Sequence, residues 1–323
     1  MFVHAQAPVR IGIAGGGTDL PAWTRERIGY CLSLAINTYT HAVAITRPDG
    51  QVVASYSHLD RAACATEIAN GLIRESALLH GWEDGFEVPT MSEVPSHGSG
   101  LGVSSSIAVC LSVIFSRMKA MERGWDFSHD RAAIAECAWE VEIDRLRRPI
   151  GRQDHMAAAH GGLRLYAFEK DGARIERSFT EEDAKWVAKH VVILPLPDGH
   201  DARAILANVK SPATLQHAYD AVPVAVSAIE SRDLQALGRA VEMGQRSKLG
   251  IPGAVPEDVQ RLVQKITLVS GVHGVNIAGG GGGGHLVVVC DSEAIDSIRN
   301  TTGMTPRKVD PDFHGVRSEG CFS

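Results

Sequence analysis

The sequence predicts an α+β protein, and three observations support this class. Extended apolar segments and helical segments are mixed along the chain, without the regular strand–helix–strand repeat that builds a doubly wound sheet. The 323 residues are 44% hydrophobic and 22% charged, a composition typical of a globular protein with a filled core. No long polar linker and no repeat of roughly 20–50 residues divides the chain.

The first half of the chain is predicted to contain several strands and two helices. Apolar runs bounded by glycine, proline and turn residues indicate strands at residues 9–14, 30–36, 41–47, 51–55 and 86–91. Composition and apolar content indicate helices at residues 62–80 and 104–117.

The second half is predicted to be mainly helical. Residues 130–146 form an amphipathic helix, because apolar side chains recur at helical spacing from Ile134 to Val141. Short strands and three successive helices follow, the strands at residues 162–167 and 191–195 and the helices at 211–226, 234–249 and 256–270. A boundary near residue 186 divides the chain into a first domain, residues 1–186, and a second, residues 187–323.

The charge and the cysteines narrow the range of partners. The formal net charge is −6, so the chain as a whole has no attraction for nucleic acid or for an anionic membrane. No segment approaches the roughly 20 apolar residues of a membrane span, and the start lacks a secretory pattern. Six cysteines without a C-x-x-C pair are expected to be free thiols. We therefore expect a cytoplasmic protein with no nucleic-acid or membrane partner.

A glycine- and serine-rich segment at residues 95–106 precedes the long apolar helix. Gly98, Gly100 and Gly102 lack Cβ atoms, so the backbone N–H groups around them can close on an anion. The start of the helix adds unpaired N–H donors. The serine hydroxyls at 104–106 can cap the helix, bind phosphate or ligate a hard cation. By itself this pattern fits a phosphate-binding loop and a capped glycine turn equally well.

Two other nucleotide-binding motifs do not fit this segment. A Walker loop needs Gly-Lys-Ser/Thr, and no lysine lies between Glu93 and Arg117. A dinucleotide fingerprint needs glycines spaced G-x-G-x-x-G, whereas this segment reads G-x-G-x-G.

Two acidic residues are candidates for the chemistry of phosphoryl transfer. Such a transfer to an alcohol needs a ligand for Mg²⁺ and a group that orients or deprotonates the attacking oxygen. Glu142 lies at the edge of the apolar stripe of helix 130–146, about 90° from its centre, so it can reach inward or remain a solvated flank residue. Asp154 can be held ionised by Arg152, or it can simply complement a helix dipole.

Two further glycine clusters lie near the ends of the chain. Residues 15–17 follow the first predicted strand and lead to Thr18 and Asp19, whose side chains suit sugar hydroxyls or an Asx-type turn. Six consecutive glycines at residues 279–284 lie between two apolar runs. They indicate close approach of the backbone to a ligand or to another segment.

Together these motifs resemble those of the GHMP small-molecule kinases, in the same order and over nearly the whole chain. Residues 7–19 are similar to the first motif of the family, residues 95–106 to the second and residues 279–284 to the third. Val103 stands where the second motif usually has its first serine, so Ser104 matches the serine that binds Mg²⁺ in this family.

Two smaller departures from the family pattern occur. Val9 stands where the first motif often has glycine, and Gly280 replaces an alanine of the third. Within the family, the segments 11–23, 150–162 and 312–317 look like those of heptose 7-phosphate kinases. The resemblance therefore implies phosphorylation of an anomeric hydroxyl, with D-glycero-D-manno-heptose 7-phosphate as the expected acceptor and the 1,7-bisphosphate as product.

The resemblance also implies a fold and a role for each motif. The fold would pair an N-terminal ribosomal protein S5 domain 2-like domain with a C-terminal ferredoxin-like domain. The nucleotide, ATP, would be bound by Pro95, Gly98, Ser99, Gly100, Leu101, Gly102, Val103, Ser104 and Ser105. Ser104 and Glu142 would hold Mg²⁺, and Asp154 and Arg10 would be catalytic. The sugar would contact Gly16, Gly17, Thr18, Asp19, Arg152, Gln153, Gly280, Gly281 and Gly282.

Two alternatives stay open at this stage. One is a related 1-kinase for an unphosphorylated sugar such as fucose or galactose. The other is a sugar- and ATP-binding regulator that has lost catalysis. The partners in each case are a small sugar or sugar phosphate and ATP. A homodimer is compatible with the sequence, which does not choose an oligomeric state.

Overall fold

The computed structural model describes residues 1–95, 98–128, 130–196, 202–209 and 211–321. Its strands are β1 (Phe2–Ala14), β2 (Gly29–Thr46), β3 (Val52–Ser55), β4 (Leu59–Ala62), β5 (Phe86–Ser92), β6 (Leu163–Glu169), β7 (Gly172–Ser178), β8 (Val191–Pro195), β9 (Val272–Ile277), β10 (His285–Cys290), β11 (Arg307–Lys308) and β12 (Arg317–Cys321).

The α-helices of the described residues are α1 (Pro21–Thr24), α2 (Gly71–Leu79), α3 (Val103–Glu122), α4 (Arg131–Trp139), α5 (Gln153–His160), α6 (Glu181–Lys189), α7 (Ala202–Leu206), α8 (Gln216–Ser231), α9 (Leu234–Leu249), α10 (Glu257–Thr267) and α11 (Ala294–Thr302). A π-helix, Glu140–Arg145, continues α4 directly. Helices and largely antiparallel sheets are mixed in this way, so the predicted α+β class is confirmed.

The larger sheet is built on the long hairpin of β1 and β2. Its main order is β12-β1-β2-β5-β3-β4, with β6 paired to β2 and β7 to β6. β2 is long enough, at 18 residues, to pair with β6 along its first part and with β5 along its last part. The sequence predicted two strands here, at 30–36 and 41–47. The structure joins them through a bulge at Asn37 and Thr38, two polar residues that made the strand look interrupted.

The smaller sheet lies in the second half of the chain, in the order β11-β8-β10-β9. Helix α9 approaches β9 so closely that a Cβ atom at Gly238 would lie 2.1 Å from the His273 carbonyl oxygen. A second close approach follows further along the helix, where a Cβ atom at Gly244 would lie 2.7 Å from Asn276 Nδ2. It brings the C-terminal half of α9 beside the end of β9, where Lys248 donates a hydrogen bond to Asn276. The packing therefore brings a helix terminus and a strand terminus to the same place.

Helix α3 is the central helix of the larger core. Most of its apolar side chains, including Val109, Ile114 and Phe115, are buried. Among the described helices it is the one long and apolar enough to cross a membrane by length and composition, and most of it lies inside the protein. Burial of its N-terminal turn also fixes the glycine- and serine-rich segment that leads into it.

The structure differs from the predicted organisation in the extent of one helix. Within the predicted helix 62–80 only α2 is α-helical, because Asn70 caps its start by accepting a hydrogen bond from the Ile73 N–H at 3.2 Å. The predicted boundary at residue 186 falls inside α6, and β12 returns to pair with β1 in the larger sheet. The division into residues 1–186 and 187–323 stays a prediction.

Candidate active site

A cavity of about 830 Å³ lies where the two halves of the chain meet. One wall is formed by the loop after β1, the glycine- and serine-rich segment and the start of α5. The other is formed by the end of α9 and the start of the third glycine cluster. Most of the residues to which the resemblance assigned roles line this cavity or lie directly beneath its surface.

The glycine- and serine-rich segment enters α3 through three left-handed glycines. The φ angles of Gly98, Gly100 and Gly102 are 68°, 72° and 79°, a region that other residues rarely adopt. Gly102 is the N-cap residue, and no side chain caps the helix there. Among the described residues no side chain accepts from the first N–H groups of α3, which suits them to a phosphate. Pro95, Ser99, Val103 and Ser105 also line the cavity, whereas Leu101 is buried below it.

Glu142 lies at the centre of a buried hydrogen-bond cluster below the start of α3. Ser104 Oγ donates to Glu142 Oε1 at 2.7 Å, and Ser105 Oγ donates to Oε2 at 2.6 Å. His155 Nε2 lies 2.8 Å from Oε2, and the Arg148 guanidinium contacts Oε1. Burial raises the pKa of the Glu142 carboxyl, but these partners outweigh it and lower that pKa to about 2.

The position of Glu142 depends on the π-helix that carries it. On a regular helix this residue would lie at the edge of the apolar stripe, but in the structure it is completely buried. The wider turn of residues Glu140–Arg145 changes the phase of the helix and places the carboxylate inside the protein. The inward orientation that the sequence left open is thus decided by the π-turn.

The residues around Glu142 suit a magnesium ion. Mg²⁺ prefers oxygen ligands and is usually held by one or two carboxylates together with phosphates of the substrate. Ser104 Oγ and Glu142 Oε1 supply a hydroxyl and a carboxylate oxygen, and the cationic Arg148 contacts both of them. Within the described residues no group of three or more His, Cys, Asp and Glu side chains is placed to hold a metal alone. These two ligands are therefore suited to an ion that also binds a nucleotide.

Asp154 lies at the first turn of α5 and is held by Arg10 of β1. Arg10 Nε donates to Asp154 Oδ1 at 2.7 Å, and Arg10 Nη2 lies 2.6 Å from the same oxygen. Arg10 Nη1 also donates to the Gly100 carbonyl oxygen at 2.7 Å, which ties the pair to the phosphate-loop candidate. The sequence had suggested Arg152 as the partner of Asp154, and the structure places Arg10 there instead.

The second carboxylate oxygen of Asp154 faces the glycine- and serine-rich segment. A Cβ atom at Gly102 would lie 3.1 Å from Asp154 Oδ2, so a larger residue would crowd this oxygen. In the part of the chain that the structure describes, no protein donor binds Oδ2, whereas Arg10 occupies Oδ1. The geometry leaves one carboxylate oxygen available for a hydroxyl group of a bound molecule.

Asp19 lines the cavity beside Asp154 and is held by the start of α5. Its carboxylate accepts hydrogen bonds from the Gln153 main-chain N–H at 3.0 Å and from Gln153 Nε2 at 2.9 Å. Gly151 allows this contact, because a Cβ atom there would lie 1.9 Å from Asp19 Oδ2. Burial raises the pKa of Asp19, and the bond from the Gln153 main chain only partly opposes that rise.

Of the other residues near Asp19, two glycines line the cavity, whereas Thr18 is buried in the protein. Gly16 and Gly17 line the cavity. Thr18 is fully buried, and its Oγ1 lies 2.9 Å from both the Gly15 and the Tyr30 carbonyl oxygens, either of which can accept its single proton. Thr18 is therefore placed to fix the loop rather than to contact a sugar.

Arg152 points away from the cavity, although the resemblance assigned it to the substrate. Its guanidinium carbon lies 3.6 Å from the centroid of the ring of Trp139, the last residue of α4. The side chain is buried there, and it is not among the residues that line the cavity. Its neighbour Gln153 does line the cavity and binds Asp19.

The third glycine cluster packs against the glycine- and serine-rich segment. Gly280 lines the cavity, and a Cβ atom at Gly279 would lie 2.8 Å from the Cα atom of Gly100. Gly281 and Gly282 turn toward Ala254 instead: a Cβ atom at Gly281 would lie 2.3 Å from its carbonyl oxygen, and the Gly282 N–H donates to that oxygen at 2.8 Å. The cluster supports the loop from below and offers only its first residues to the cavity.

Two cationic residues of the cavity had no assigned role in the sequence. Arg148 was one of several arginines that the sequence offered for an acceptor phosphate, and the structure places it on Ser104 and Glu142. Lys248, at the end of α9, was not identified at all. No local motif marks it, because its neighbours in the cavity come from distant parts of the chain.

Comparisons with known proteins identify relatives of this chain. The family described as GHMP kinases N terminal domain matches residues 62–162, and the family described as GHMP kinases C terminal matches residues 225–301. A D-glycero-alpha-D-manno-heptose 7-phosphate kinase of Campylobacter jejuni is 32% identical over 179 residues, which are 51% of this chain and 50% of that protein. The aligned region thus spans half the length of that relative.

Solved structures of low sequence identity share the fold over almost the whole chain. A D-glycero-D-manno-heptose 1-phosphate kinase from Bacteriodes thetaiotaomicron has a TM-score of 0.78 at 17% identity, covering 99% of this chain and 100% of its own. A galactokinase from Lactococcus lactis, complexed with galactose, has a TM-score of 0.75 at 15% identity, covering 98% of this chain and 95% of its own. At these identities the likeness concerns the fold alone.

Proposed function

The chain belongs to the GHMP kinase family, and on that premise we propose that it transfers the γ-phosphoryl group of ATP to the anomeric hydroxyl of a sugar. The proposed acceptor is D-glycero-D-manno-heptose 7-phosphate, which gives the 1,7-bisphosphate and ADP. The observation that carries the proposal is the placement of Asp154, with one free carboxylate oxygen, beside the phosphate-loop candidate and the Ser104–Glu142 pair. The partial match to a heptose 7-phosphate kinase supports the choice of acceptor.

Different residues of the cavity would bind the triphosphate, the magnesium ion and the sugar. Gly98, Gly100 and Gly102 would receive the triphosphate at the start of α3. Ser104 and Glu142 would hold Mg²⁺, which supplies positive charge to the phosphates when bound. Asp19 would orient the sugar hydroxyls through the carboxylate that Gln153 fixes.

Asp154 would act directly on the attacking hydroxyl. Its Oδ2 accepts the hydroxyl proton as the acceptor oxygen forms its bond to the γ-phosphorus, and the bond from that phosphorus to the β-phosphate oxygen breaks. Arg10, bound to Oδ1, keeps the carboxylate in place before transfer. Its position beside Gly100 also brings positive charge to the phosphate end of the cavity.

An ADP-release assay across acceptors tests the proposal. The purified protein is supplied with ATP and Mg²⁺, and with heptose 7-phosphate, fucose or galactose in parallel. We expect turnover of heptose 7-phosphate and a product with one acid-labile anomeric phosphate and one stable primary phosphate. Turnover of a free hexose without turnover of heptose 7-phosphate would refute the acceptor. Absence of turnover with every acceptor, with ATP and sugar still bound, would favour a regulator that has lost catalysis.

A further inference from the structure

Lys248 is a cationic side chain of the cavity that none of the roles above uses. Its ammonium donates to Asn276 Oδ1 at 2.9 Å and to the Ile277 carbonyl oxygen. An ammonium has three N–H donors, so one of them has no protein acceptor within the described residues. No carboxylate of those residues forms a salt bridge with Lys248, and the side chain lines the cavity. A half-buried cation without a counter-ion is costly to the fold, and an anionic ligand would offset that cost.

The electrostatic surroundings of Lys248 favour an anion over a neutral group. Burial and, to a smaller extent, the positive charge of Arg10 together lower the pKa of Lys248 to about 7. Where the structure describes the chain, Arg10 forms an ion pair with one carboxylate, that of Asp154. An anion placed between the two cations would be attracted by both and would relieve their mutual repulsion.

The position of Lys248 points to the phosphate end of the cavity. The Ile277 carbonyl that holds Lys248 is followed by Ala278, whose carbonyl oxygen would lie 2.6 Å from a Cβ atom at Gly100. The Gly100 carbonyl in turn accepts a hydrogen bond from Arg10 Nη1 at 2.7 Å. Lys248 is thus bound to the segment that contains Ile277 and Ala278, and Arg10 to the segment that contains Gly100. These two segments contact each other.

We propose that Lys248, together with Arg10, forms a phosphate-binding subsite at the junction of α9, β9 and the glycine- and serine-rich segment. The proposal rests on the proposed kinase function. A compact ammonium binds phosphate as a point charge, without the bidentate geometry that arginine would impose. The phosphate belongs either to the γ position of ATP or to the phosphorylated acceptor, and binding measurements distinguish these two sources.

The first test compares Lys248→Met with Lys265→Met. Lys265 is exposed on α10, so its replacement removes the same charge from the same half of the chain without touching the cavity. Calorimetry measures the dissociation constants of Mg-ATP, Mg-ADP, heptose 7-phosphate and the unphosphorylated heptose. Loss of one charged hydrogen bond corresponds to about a tenfold weakening or more.

The ligands that bind Lys248→Met more weakly identify which phosphate Lys248 contacts. If Lys248 binds the γ-phosphate, Lys248→Met weakens ATP binding and spares ADP. If it binds the acceptor, heptose 7-phosphate is weakened and the unphosphorylated sugar is spared. Unchanged affinity for all four ligands, in a variant that unfolds at the wild-type temperature, overturns the proposal. The nucleotide comparison remains valid even where heptose 7-phosphate proves not to be a substrate.

A second measurement on the unmodified protein covers the case in which Lys248→Met does not fold. Trace acetylation by acetic anhydride at neutral pH is quantified at each lysine by mass spectrometry. We expect the ligand whose phosphate Lys248 contacts, either ATP or heptose 7-phosphate, to lower acetylation of Lys248 severalfold relative to Lys265. The matching ligand without that phosphate, ADP or the unphosphorylated heptose, should lower it less. The proposal is overturned if Lys248 is acetylated equally with ATP and with ADP, and also equally with heptose 7-phosphate and with the unphosphorylated heptose.

Discussion

At the scale of single residues, the carboxylates of the cavity are distinguished by what holds them. Asp154 is bound on one oxygen by Arg10 and keeps the other free, whereas Glu142 is bound on both oxygens by hydroxyl, imidazole and guanidinium groups. A group that moves a proton needs a free, reachable oxygen. A ligand for a cation needs a carboxylate that is ionised at neutral pH, as the pKa of about 2 for Glu142 provides.

The first prediction concerns Asp154. Asp154→Asn removes the proton acceptor but keeps its shape, so we expect turnover to fall by about 10²–10⁴-fold while ATP affinity stays within a factor of about two. Steady-state kinetics and nucleotide titration check the two quantities. Asp258→Asn, at an exposed position of α10, is the control. Near-normal turnover of Asp154→Asn would show that the carboxylate is not the base.

The second prediction separates two neighbouring serines. Ser104 Oγ bonds to Glu142 and to Arg148, whereas Ser105 Oγ bonds to the other oxygen of Glu142 and is more deeply buried. We expect Ser104→Ala to raise the Mg²⁺ concentration for half-maximal activity by about tenfold or more. Ser105→Ala should lower stability by about 1 kcal/mol with a smaller change in that concentration. Equal magnesium curves for the two variants would contradict the assignment.

At the scale of elements, the site depends on backbone geometry that places helix ends and glycine loops together. The π-helix after α4 turns Glu142 inward, and the N-cap Gly102 opens the start of α3. Gly100 serves a packing purpose as well, because it lies directly against Ala278 and Gly279. Each of these elements comes from a different part of the chain, and their contacts fix the cavity.

The third prediction tests the contact of Gly100 with Ala278 and Gly279. It compares two glycines that have the same backbone conformation. Gly100 and Gly81 both have a φ of 72°, but a Cβ atom at Gly81 would meet nothing within 4 Å. Gly81→Ala should therefore cost only about 1 kcal/mol of left-handed strain. Gly100→Ala should cost about 1–3 kcal/mol more because of the added clash, and it should weaken ATP binding. Chemical denaturation and nucleotide titration measure both effects; equal losses would argue against the loop packing.

At the scale of the whole molecule, the C-terminal segment ties the end of the chain to its beginning. β12 pairs with β1, and the buried Asp312 carboxylate accepts hydrogen bonds from Tyr39 Oη at 3.0 Å and from the Gly315 N–H at 2.6 Å. Arg317 Nη2 lies 3.1 Å from the same carboxylate. The larger sheet is thus completed only when the last strand has been added.

The fourth prediction follows from this closure. Asp312→Ala leaves Tyr39, Arg317 and the Gly315 N–H without their acceptor, so we expect a loss of about 2–4 kcal/mol in the free energy of unfolding. Since Asp312 lies outside the cavity, the KM values for ATP and sugar should stay near wild type. Asp296→Ala, at an exposed helix position, is the control and should cost less than about 0.5 kcal/mol. A stability change as small as that of the control would refute the role of Asp312.

The order of the glycine motifs predicted the family, and the mixture of strand-like and helical segments predicted the α+β class; both predictions are confirmed. Motifs of this kind are readable because glycine and serine act through local backbone geometry, as at the positive φ angles from Gly98 to Gly102. The roles of Asp154, Glu142 and Asp19 stay predictions that the arrangement of the cavity supports.

Only the tertiary structure decided which charged groups meet. Arg10 pairs with Asp154 across 144 positions of sequence, Ser104 with Glu142 across 38, and Lys248 with Asn276 across 28. Arg152, two residues from Asp154, lies instead on Trp139. Local spacing fixes backbone shape, but a long charged side chain can reach in many directions. The packing of helices and sheets decides which partner such a side chain contacts. The sequence therefore determined the motifs, and the fold determined which ion pairs and hydrogen bonds their residues form.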